Sequence, residues 1–459
     1  MYKNDIKVHF VGIGGIGMSG IAEVLLNLGY KVSGSDIKET ETTKRLKGLG
    51  ADIHIGHRAE NIGDAYVVVV SSAIRKDNPE LLAANDKNIP VILRAEMLAE
   101  LLRMKYSVLV SGTHGKTTTT SIIAHMLHHA GLDPTMVVGG KLNNIGTNAK
   151  LGQGTFVVAE ADESDGSFLL LTPTIAITTN IEREHMDHYK EYENLENAFV
   201  EFLNKVPFYG LNLVCLDNPG VQKIISRLKR RVMTYGFSHQ ADLRADNIQV
   251  GKDGSEYDVY LQNKFLGRFK NSVLGVHNVQ NSLAAIGVGI ELGISVEKIK
   301  EAFLEFKGIE RRFHFRGTAK GVVVVDDYGH HPTEIKATIN TARQYWKGRI
   351  VVLFQPHRYS RTRDLFEEFI TSFYEADVVL VMDIYAASED PIPGVDGVSI
   401  AKGLKAHGHK EVYFVGDKDK GYEFIKNFLQ KGDMLLTLGA GDVWQVGVKY
   451  VKEMSGEEA

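Results

Sequence analysis

Short runs of apolar, mostly β-branched residues alternate along the chain with longer stretches in which apolar residues recur every three or four positions. Continuous apolar runs are typical of buried parallel strands, and the periodic stretches are typical of the helices that cover them. The pattern therefore predicts an α/β protein built from doubly wound units. The predicted strands span residues 6–11, 31–35, 66–70, 91–93, 107–110, 156–159, 174–178, 211–216, 321–325, 350–354, 378–382, 412–415 and 434–438.

Two changes in the pattern divide the chain into three domains. A polar break at residues 103–106 follows the first unit, and a third unit starts near residues 308–315. Between about residues 241 and 269 apolar and polar positions alternate, which predicts a small antiparallel patch within the central unit. We expect domains at residues 1–105, 106–310 and 311–459, and a length of 459 residues fits about three domains.

Composition narrows the class of protein. Apolar residues make up 44% of the chain, enough for sizeable cores, which excludes a disordered chain. The formal net charge is −4 and no basic block is present, so nothing favours nucleic acid as a partner. The single cysteine, Cys215, lies in an apolar run and is predicted to be buried. Because a single cysteine cannot form an internal disulfide, we expect a reducing compartment. The sequence shows neither a leader pattern nor a long apolar window, so we expect no membrane association and a cytoplasmic location.

The first glycine-rich segment, residues 12–17, fits the pattern G-x-G-x-x-G between a strand and a helix. Glycines there permit a tight turn and let backbone amides approach a diphosphate at the start of the helix. Asp36 ends the second strand, near the place of a ribose-binding acid. These residues alone leave three interpretations open: a dinucleotide site, a site for another nucleotide diphosphate, or a tight structural turn.

The second glycine-rich segment follows the strand 107–110 and opens the next helix. Its pattern is G-x-x-G-K-T, and the first glycine of the longer phosphate-loop pattern is replaced by Val110. Lys116 is placed to reach the β- and γ-phosphates of a nucleotide, and the Thr117 hydroxyl to ligate Mg²⁺. We therefore predict ATP or GTP binding by Gly112, Thr113, His114, Gly115, Lys116, Thr117 and Thr118.

Acidic and histidine-rich segments follow the next strands of the central unit. Four carboxylates lie within residues 160–165, and residues 180–188 contain His185 and Asp187. Taken alone, an acidic run is usually a solvated loop. Because ligands bind outside the carboxyl ends of parallel strands, we favour a metal role for Glu160 and for His185 or Asp187. Asn278 and Asn281 lie on one face of a later helix, where a helix cap is the alternative for Asn278.

In the third unit, polar clusters follow two strands, at residues 326–332 and 355–361. Because both strands are predicted to end at one edge of the sheet, we expect the clusters to meet there. Arginines at such a crevice would hold a carboxylate. Scattered surface charge is the alternative. The candidate residues are Asp327, Tyr328, His330, His357, Arg358 and Arg361.

Together these motifs resemble the Mur ligase family over essentially the whole chain. Their order and spacing are far more specific than either glycine-rich segment alone, and the family's own ATP loop has the G-T-x-G-K-T form. One departure is Glu184, where the family usually has aspartate, so we favour His185 over Glu184 as a ligand. The motifs are residues 12–17, 112–118, 160–165, 180–187, 277–281, 311–313, 326–332 and 354–361.

The resemblance implies an ATP- and Mg²⁺-dependent ligase (Mn²⁺ as an alternative ion) that joins L-alanine to the lactyl carboxylate of UDP-N-acetylmuramate through an acyl phosphate. It implies that a Rossmann-like first domain binds the UDP-sugar through Gly12, Gly14, Gly15, Gly17, Asp36, Ser71 and Ser72. It implies a central ATP domain and a Rossmann-like third domain that holds L-alanine through Tyr328, His330, His357, Arg358 and Arg361.

The resemblance also assigns roles around ATP and the metal. His277, Asn278 and Asn281 resemble adenine-side residues, and Arg312 and Asp327 would contact ATP. Thr117, Glu160 and His185 would hold Mg²⁺, and Lys116, Glu160, His185, Asp327 and Arg358 would take part in catalysis. We expect a monomer or weak homodimer.

Three other interpretations remain: a murein-tripeptide ligase of the same architecture, an NAD-dependent dehydrogenase, and a P-loop ATPase that needs no sugar nucleotide.

Overall fold

The protein is described by a computed structural model, in which the side chains of Ile16, Asp187 and Tyr345 are left out of the description. The described residues are 6–71, 73–103, 105–138, 149–251, 254–387 and 389–455.

The chain folds into two compact units. The second unit consists mainly of the residues from Gly308 onwards, together with two shorter segments that precede Gly308 in the sequence. The first unit contains Met1–Asn247, Tyr257–Asn271 and Val279–Lys307, and the second contains Ile248–Glu256, Ser272–Asn278 and Gly308–Ala459.

The N-terminal part of the first unit is a five-stranded parallel sheet in the order β3-β2-β1-β4-β5. Phe10 of β1 and Ile21 of α1 are fully buried, because the helices cover both faces of a sheet made of apolar runs. The elements are β1 (Lys7–Val11), α1 (Ile16–Asn27), β2 (Lys31–Asp36), α2 (Glu41–Gly48), β3 (Asp52–Ile55), a 3-10 turn (Ala59–Ile62), β4 (Val67–Val70), α3 (Pro79–Asp86), β5 (Val91–Leu93) and α4 (Arg94–Leu102).

The central sheet has ten strands in the order β15-β14-β13-β12-β11-β10-β6-β9-β7-β8. Strands β6, β9, β10 and β11 are parallel, so their carboxyl ends share one edge. The elements are β6 (Tyr106–Ser111), α5 (Lys116–His129), β7 (Thr135–Val137), β8 (Ala149–Lys150), β9 (Phe156–Glu160), a 3-10 turn (Ser167–Leu170), β10 (Ile175–Thr178), α6 (Met186–Tyr189), α7 (Tyr192–Asn204), β11 (Leu211–Cys215), α8 (Pro219–Ile225), β12 (Val232–Gly236), β13 (Leu243–Gly251), β14 (Gly254–Leu261), β15 (Lys264–Asn271), α9 (Val276–Glu291) and α10 (Val296–Glu305).

The third sheet, in the second unit, has the order β16-β17-β21-β18-β19-β20 and is parallel except for β16. Its core strands β18, β19 and β21 are buried throughout. The elements are β16 (His314–Ala319), β17 (Val322–Asp327), α11 (Pro332–Tyr345), β18 (Ile350–Phe354), α12 (Tyr359–Asp364), α13 (Phe366–Ile370), β19 (Val378–Met382), α14 (Gly397–Ala406), β20 (Val412–Gly416), α15 (Lys418–Phe428), β21 (Met434–Leu438) and α16 (Trp444–Ser455).

The three-domain α/β architecture predicted from the sequence is confirmed, and so is the change of pattern in the central sheet. Strands β14 and β15 are neighbours joined only by Gln262 and Asn263, whose φ angles of 48° and 64° are those of a tight hairpin turn. Such a short connection requires antiparallel strands. The exact domain limits remain predictions.

Several strands escaped the sequence analysis because they are short or partly polar. They include β3, β12 and β16, and β16 pairs antiparallel to β17 at the edge of the third sheet. Cys215 is buried in β11, as predicted. Within the described residues, no helix is both long and apolar enough to cross a membrane.

Candidate active site

The first glycine-rich loop turns the chain from β1 into α1. Gly12 has a φ of 80°, a conformation that favours glycine. The amides of Gly12 and Ile13 both donate to the backbone oxygen of Ser35, at 2.8 and 2.9 Å, and the Gly15 amide donates to Gly12 O. These amides, which the sequence pattern predicted to face a diphosphate, are thus used inside the protein. The first-turn amides of α1 are the ones that a helix start offers to an anion.

Two charged side chains adjoin this loop. Asp36 Oδ2 accepts a hydrogen bond from the Gly14 amide at 2.9 Å, so this carboxylate shapes the loop itself. Arg94, which the sequence analysis did not select, lies so close to Gly17 that a Cβ there would meet its Nη1 at 3.1 Å. The helix start therefore has a cation beside it. Ser71 follows β4 and is half-buried, whereas Ser72 lies outside the described residues.

The second glycine-rich loop is held by the segment that follows β10. Asn180 accepts from the His114 amide at 2.7 Å and donates back to His114 O at 3.0 Å. Gly112 has a φ of 127°, and a Cβ at this position would lie 2.2 Å from Thr179 Oγ1, so only glycine fits. Gly115 adjoins Asn281 of α9, whose Oδ1 would lie 2.9 Å from an added Cβ. The loop is rigidly seated, and Thr117 and Thr118 continue it into α5.

Lys116 is enclosed by acceptors. Its Nζ donates to both carboxylate oxygens of Glu163, at 2.8 and 2.9 Å, and to Gly112 O at 2.6 Å. Burial would lower the pKa of Lys116, but Glu163, Asp162 and Glu160 outweigh burial and raise that pKa above its usual value. The lysine is therefore a permanent positive charge at the start of α5.

Acidic groups and one histidine surround this lysine. His185 Nε2 lies 3.5 Å from Glu184 Oε2 and 3.9 Å from Glu163 Oε1. Glu160 ends β9 and lies close enough to raise the Lys116 pKa. Carboxylate oxygens are the ligands that Mg²⁺ and Mn²⁺ prefer, so the donor set fits a divalent cation. Glu163 belongs to the acidic run that the sequence analysis noted, but that analysis did not select it.

Asn278 and His277 lie at the start of α9. Asn278 Nδ2 donates to Leu274 O at 2.7 Å, a contact that ties the helix start to the preceding turn. This contact is not that of an N-cap, because Asn278 is the third residue of α9 and its side chain here donates to a carbonyl, whereas an N-cap side chain accepts from a helix amide. His277 is exposed.

In the second unit, the two polar clusters predicted to converge do meet. The rings of His330 and His357 are 5.7 Å apart, and Tyr328 packs edge-on against His330 at 5.4 Å. Arg361 Nη1 lies 3.4 Å from His357 Nδ1. Tyr385, absent from the sequence prediction, stacks on His357 with ring centroids 5.6 Å apart. It follows β19, the next parallel strand, so the same strand-end rule could have found it.

The charge in this cluster is positive. Burial, followed by the charges of His330, Arg361 and Arg358, lowers the pKa of His357 to about 3, so its imidazole is neutral at physiological pH. Arg358 is exposed and directly precedes α12 as its N-cap residue, with a φ of 70°. Its amide is fixed by Tyr385 O at 2.9 Å. A small anion is the ligand that this arrangement favours.

Asp327 and Arg312 have clear partners within the second unit. Asp327 accepts from the amides of Phe313 and Gly329, both at 2.7 Å, and burial raises its pKa to about 6. Arg312 lies over the Tyr328 ring at 5.2 Å and 3.7 Å from Glu334. Asp327 therefore fixes the segment that carries Tyr328. The contacts of both residues with ATP remain predictions.

Models of one family match three successive parts of the chain: "Mur ligase family, catalytic domain" at residues 7–106, "Mur ligase middle domain" at 110–289, and "Mur ligase, glutamate ligase domain" at 311–441. Similar curated proteins include the UDP-N-acetylmuramate–L-alanine ligases of Trichlorobacter lovleyi, 54% identical, and Geotalea uraniireducens, 53% identical. The matches cover 99% and 100% of this chain and 100% of each relative.

Solved structures give the same grouping. The UDP-N-acetylmuramate–alanine ligase of Thermotoga maritima has a TM-score of 0.85 and 31% identity, with 98% of this chain and all of that chain covered. A murein peptide ligase of Psychrobacter arcticus shares the fold with a TM-score of 0.74 at 22% identity, covering 98% of this chain and 99% of that one. The chain therefore belongs to the Mur ligase family.

Proposed function

We propose that this protein is an ATP-dependent ligase that joins L-alanine to the lactyl carboxylate of UDP-N-acetylmuramate, a step in peptidoglycan precursor synthesis. One observation carries the proposal: curated relatives with the name UDP-N-acetylmuramate–L-alanine ligase are 53% to 56% identical over 97% to 100% of the chain. The match to one of these relatives spans the whole chain, so it includes all three domains.

The reaction needs two transfers. The lactyl carboxylate attacks the γ-phosphorus of ATP, which forms an acyl phosphate and releases ADP. The amine of L-alanine then attacks the acyl carbon, loses a proton and expels phosphate, which leaves an amide. The first step brings two anions together, so the protein must supply positive charge where they meet.

Lys116 would supply that charge. It is the half-buried cation of the second loop, already aligned by Glu163 at 2.8 Å. Thr117, Glu160 and His185 would hold Mg²⁺, or Mn²⁺ in its place, and a bound ion would neutralise phosphate charge during the transfer. Glu163 would serve as the partner that keeps Lys116 in place, a role the sequence analysis did not assign.

L-Alanine would bind at the positive cluster of the second unit. Arg358 and Arg361 would hold its carboxylate, since paired guanidinium groups match a planar anion. Tyr328, His330 and His357 would shape the pocket, with the neutral His357 fixed between Tyr385 and Arg361.

The UDP moiety would bind at the first loop. Gly12, Gly14 and Gly15 form the turn into α1, Gly17 lies in the first turn of that helix, and Asp36 holds the loop. The helix start beside Arg94 suits a diphosphate. Ser71 and Ser72 would complete this site. His277, Asn278, Asn281, Arg312 and Asp327 are proposed for ATP, and Asp327 would act by fixing its own segment.

Phosphate release from ATP and Mg²⁺ tests the function, with UDP-N-acetylmuramate and L-alanine added together or each omitted. We expect release only with both. Release without the sugar nucleotide would indicate a P-loop ATPase. Release with the murein tripeptide instead of L-alanine would indicate the tripeptide ligase. Nicotinamide binding would favour a dehydrogenase. A cytoplasmic location and a monomer or weak homodimer remain predictions.

A further inference from the structure

A buried polar cluster lies directly behind the first glycine-rich loop. At its centre is Glu80, a fully buried carboxylate near the start of α3. Ser35 Oγ donates to Glu80 Oε2 at 2.6 Å, and Asn61 Nδ2 donates to Oε1 at 2.5 Å. The Arg58 amide also donates to Oε1, at 3.3 Å. We call this the Glu80 network; its side chains are those of His9, Ser35, His57, Asn61 and Glu80.

Glu80 is charged in the folded protein. Burial alone would raise its pKa, but the contacts with His9, Ser35 and Asn61 outweigh burial and lower the pKa to about 2. Burying a charge is unfavourable unless donors surround it. An apolar residue would pack α3 against the sheet without that cost, so a role beyond packing is the better explanation for a carboxylate here.

The hydrogen bonds also fix one proton. The Ser35 hydroxyl has a single proton, which it donates to Glu80. His57 Nδ1 lies 2.9 Å from Ser35 Oγ, so Nδ1 carries the proton in that contact. His57 is 18% exposed, whereas Glu80 is fully buried. The network therefore extends from a buried charge to the surface at the carboxyl edge of the first sheet.

The network is directly connected to the first loop. The backbone oxygen of Ser35 accepts from the Gly12 and Ile13 amides, and the next residue, Asp36, accepts from the Gly14 amide. The Gly56 amide donates to Asp36 O at 2.8 Å. By holding Ser35 on one side and residues 56–61 on the other, Glu80 fixes the end of β2, on which the loop depends.

We propose that Glu80 is a positioning residue for nucleotide-sugar binding, whose carboxylate holds the end of β2 and residues 56–61 in the geometry that the first glycine-rich loop requires. The inference rests on the proposed function for the identity of the ligand. Glu80 itself does not touch that ligand, since its side chain is fully buried.

The test compares three variants with the wild type. Glu80→Gln keeps the shape and removes the charge, and Ser35→Ala removes the link to β2 with little change of volume. Glu60→Gln is the matched control, because Glu60 is exposed on the 3-10 turn Ala59–Ile62, which also carries Asn61 of the Glu80 network. Steady-state ligation gives kcat and KM for each substrate. Hydrogen exchange compares the amides of residues 12–15 with those of Val378–Met382 in β19.

If Glu80 positions the loop, Glu80→Gln and Ser35→Ala raise KM for UDP-N-acetylmuramate about tenfold, the scale of one lost charged hydrogen bond. The kcat and the KM for ATP stay at the wild-type values. Exchange speeds up at residues 12–15 and not in β19, and Glu60→Gln changes nothing.

An unchanged KM for the sugar nucleotide overturns the proposal. So does a general loss of activity with faster exchange in both regions, because that pattern indicates a purely structural role. If the wild type shows no ligation at all, the proposed function fails. The exchange comparison then still decides whether Glu80 holds the loop.

Discussion

The two glycine-rich loops follow the same sequence logic, a strand, a glycine-rich turn and a helix, yet the structure uses them differently. In the first loop the amides of Gly12, Ile13 and Gly14 are bound by Ser35 and Asp36 of the neighbouring strand. In the second loop the decisive group is a side chain, the half-buried Lys116, held by Glu163. The first loop is a scaffold for a helix start, and the second delivers a charge.

This difference implies different sensitivities. A site that relies on a helix start and a neighbouring arginine binds an anion without reacting with it. A half-buried cation beside several carboxylates suits a phosphoryl group whose charge changes during reaction. Substitutions in the first loop are therefore expected to affect substrate binding, and substitutions in the second to affect turnover.

The largest expected effect is at Lys116. Lys116→Met removes the charge that would stabilise the transferring phosphoryl group, so we expect kcat to fall by ~10²–10³-fold or more. Phosphate release measures it. The surface change Lys223→Met is the control. Lys116→Met leaves Glu163 buried without its partner. The double variant Lys116→Met with Glu163→Gln removes that unpaired charge, so its turnover shows the loss of Lys116 without this possible folding defect. Normal turnover in the single or the double Lys116→Met variant would rule out the phosphate-loop assignment.

The positive cluster of the second unit provides a comparison with the two loops, because a change there should affect only the binding of L-alanine. Arg358→Ala removes a proposed ligand of the alanine carboxylate, and a charged hydrogen bond lost here raises KM for L-alanine by ~10–100-fold. The KM for ATP should stay near the wild-type value. Arg363→Ala is the matched control on the same helix, since Arg363 is exposed and bound to Asp364. Equal changes in both KM values would contradict the placement of L-alanine.

The first loop should respond more weakly. A Cβ on Gly14 would lie 2.7 Å from Asp36 Oδ2, so Gly14→Ala displaces the carboxylate that holds the loop. We expect KM for UDP-N-acetylmuramate to rise about tenfold, with kcat unchanged. Gly48→Ala is the control, because no atom lies within 4 Å of a Cβ there. A fall in kcat at unchanged KM would erase the contrast between the loops.

The last prediction concerns stability and its dependence on pH, not turnover. The pKa of Glu80 is about 2 in the folded protein and 4.5 in the reference state. Its charge therefore stabilises the fold above pH 4.5, and this contribution is lost as pH falls towards 2. Glu80→Gln should lower stability by at most about 3 kcal/mol at pH 7 and by less at pH 3. Thermal midpoints at both pH values measure this. If the difference in thermal midpoint between the wild type and Glu80→Gln is the same at both pH values, the ionised form of Glu80 does not stabilise the fold.

The sequence predicted the site best where residues follow buried strands. His330 and His357 lie after β17 and β18, and they meet as predicted because parallel strands end at one edge. The family and the three-domain α/β fold were also predicted correctly, because apolar runs and glycine-rich loops are local signals in the sequence. Tyr385 escaped notice because a single tyrosine after a strand does not stand out in sequence.

By itself, the sequence determined most of the elements, the two glycine-rich loops and the family, because each depends on residues that are close together along the chain. Only the tertiary structure decided which group each loop would use. Glu163 meets Lys116 from 47 positions away, and Glu80 meets Ser35 from 45 positions away. Such pairs depend on the order of the strands and on burial, because a buried charge needs a hydrogen-bonding or charged partner. No periodicity in the sequence reports either property.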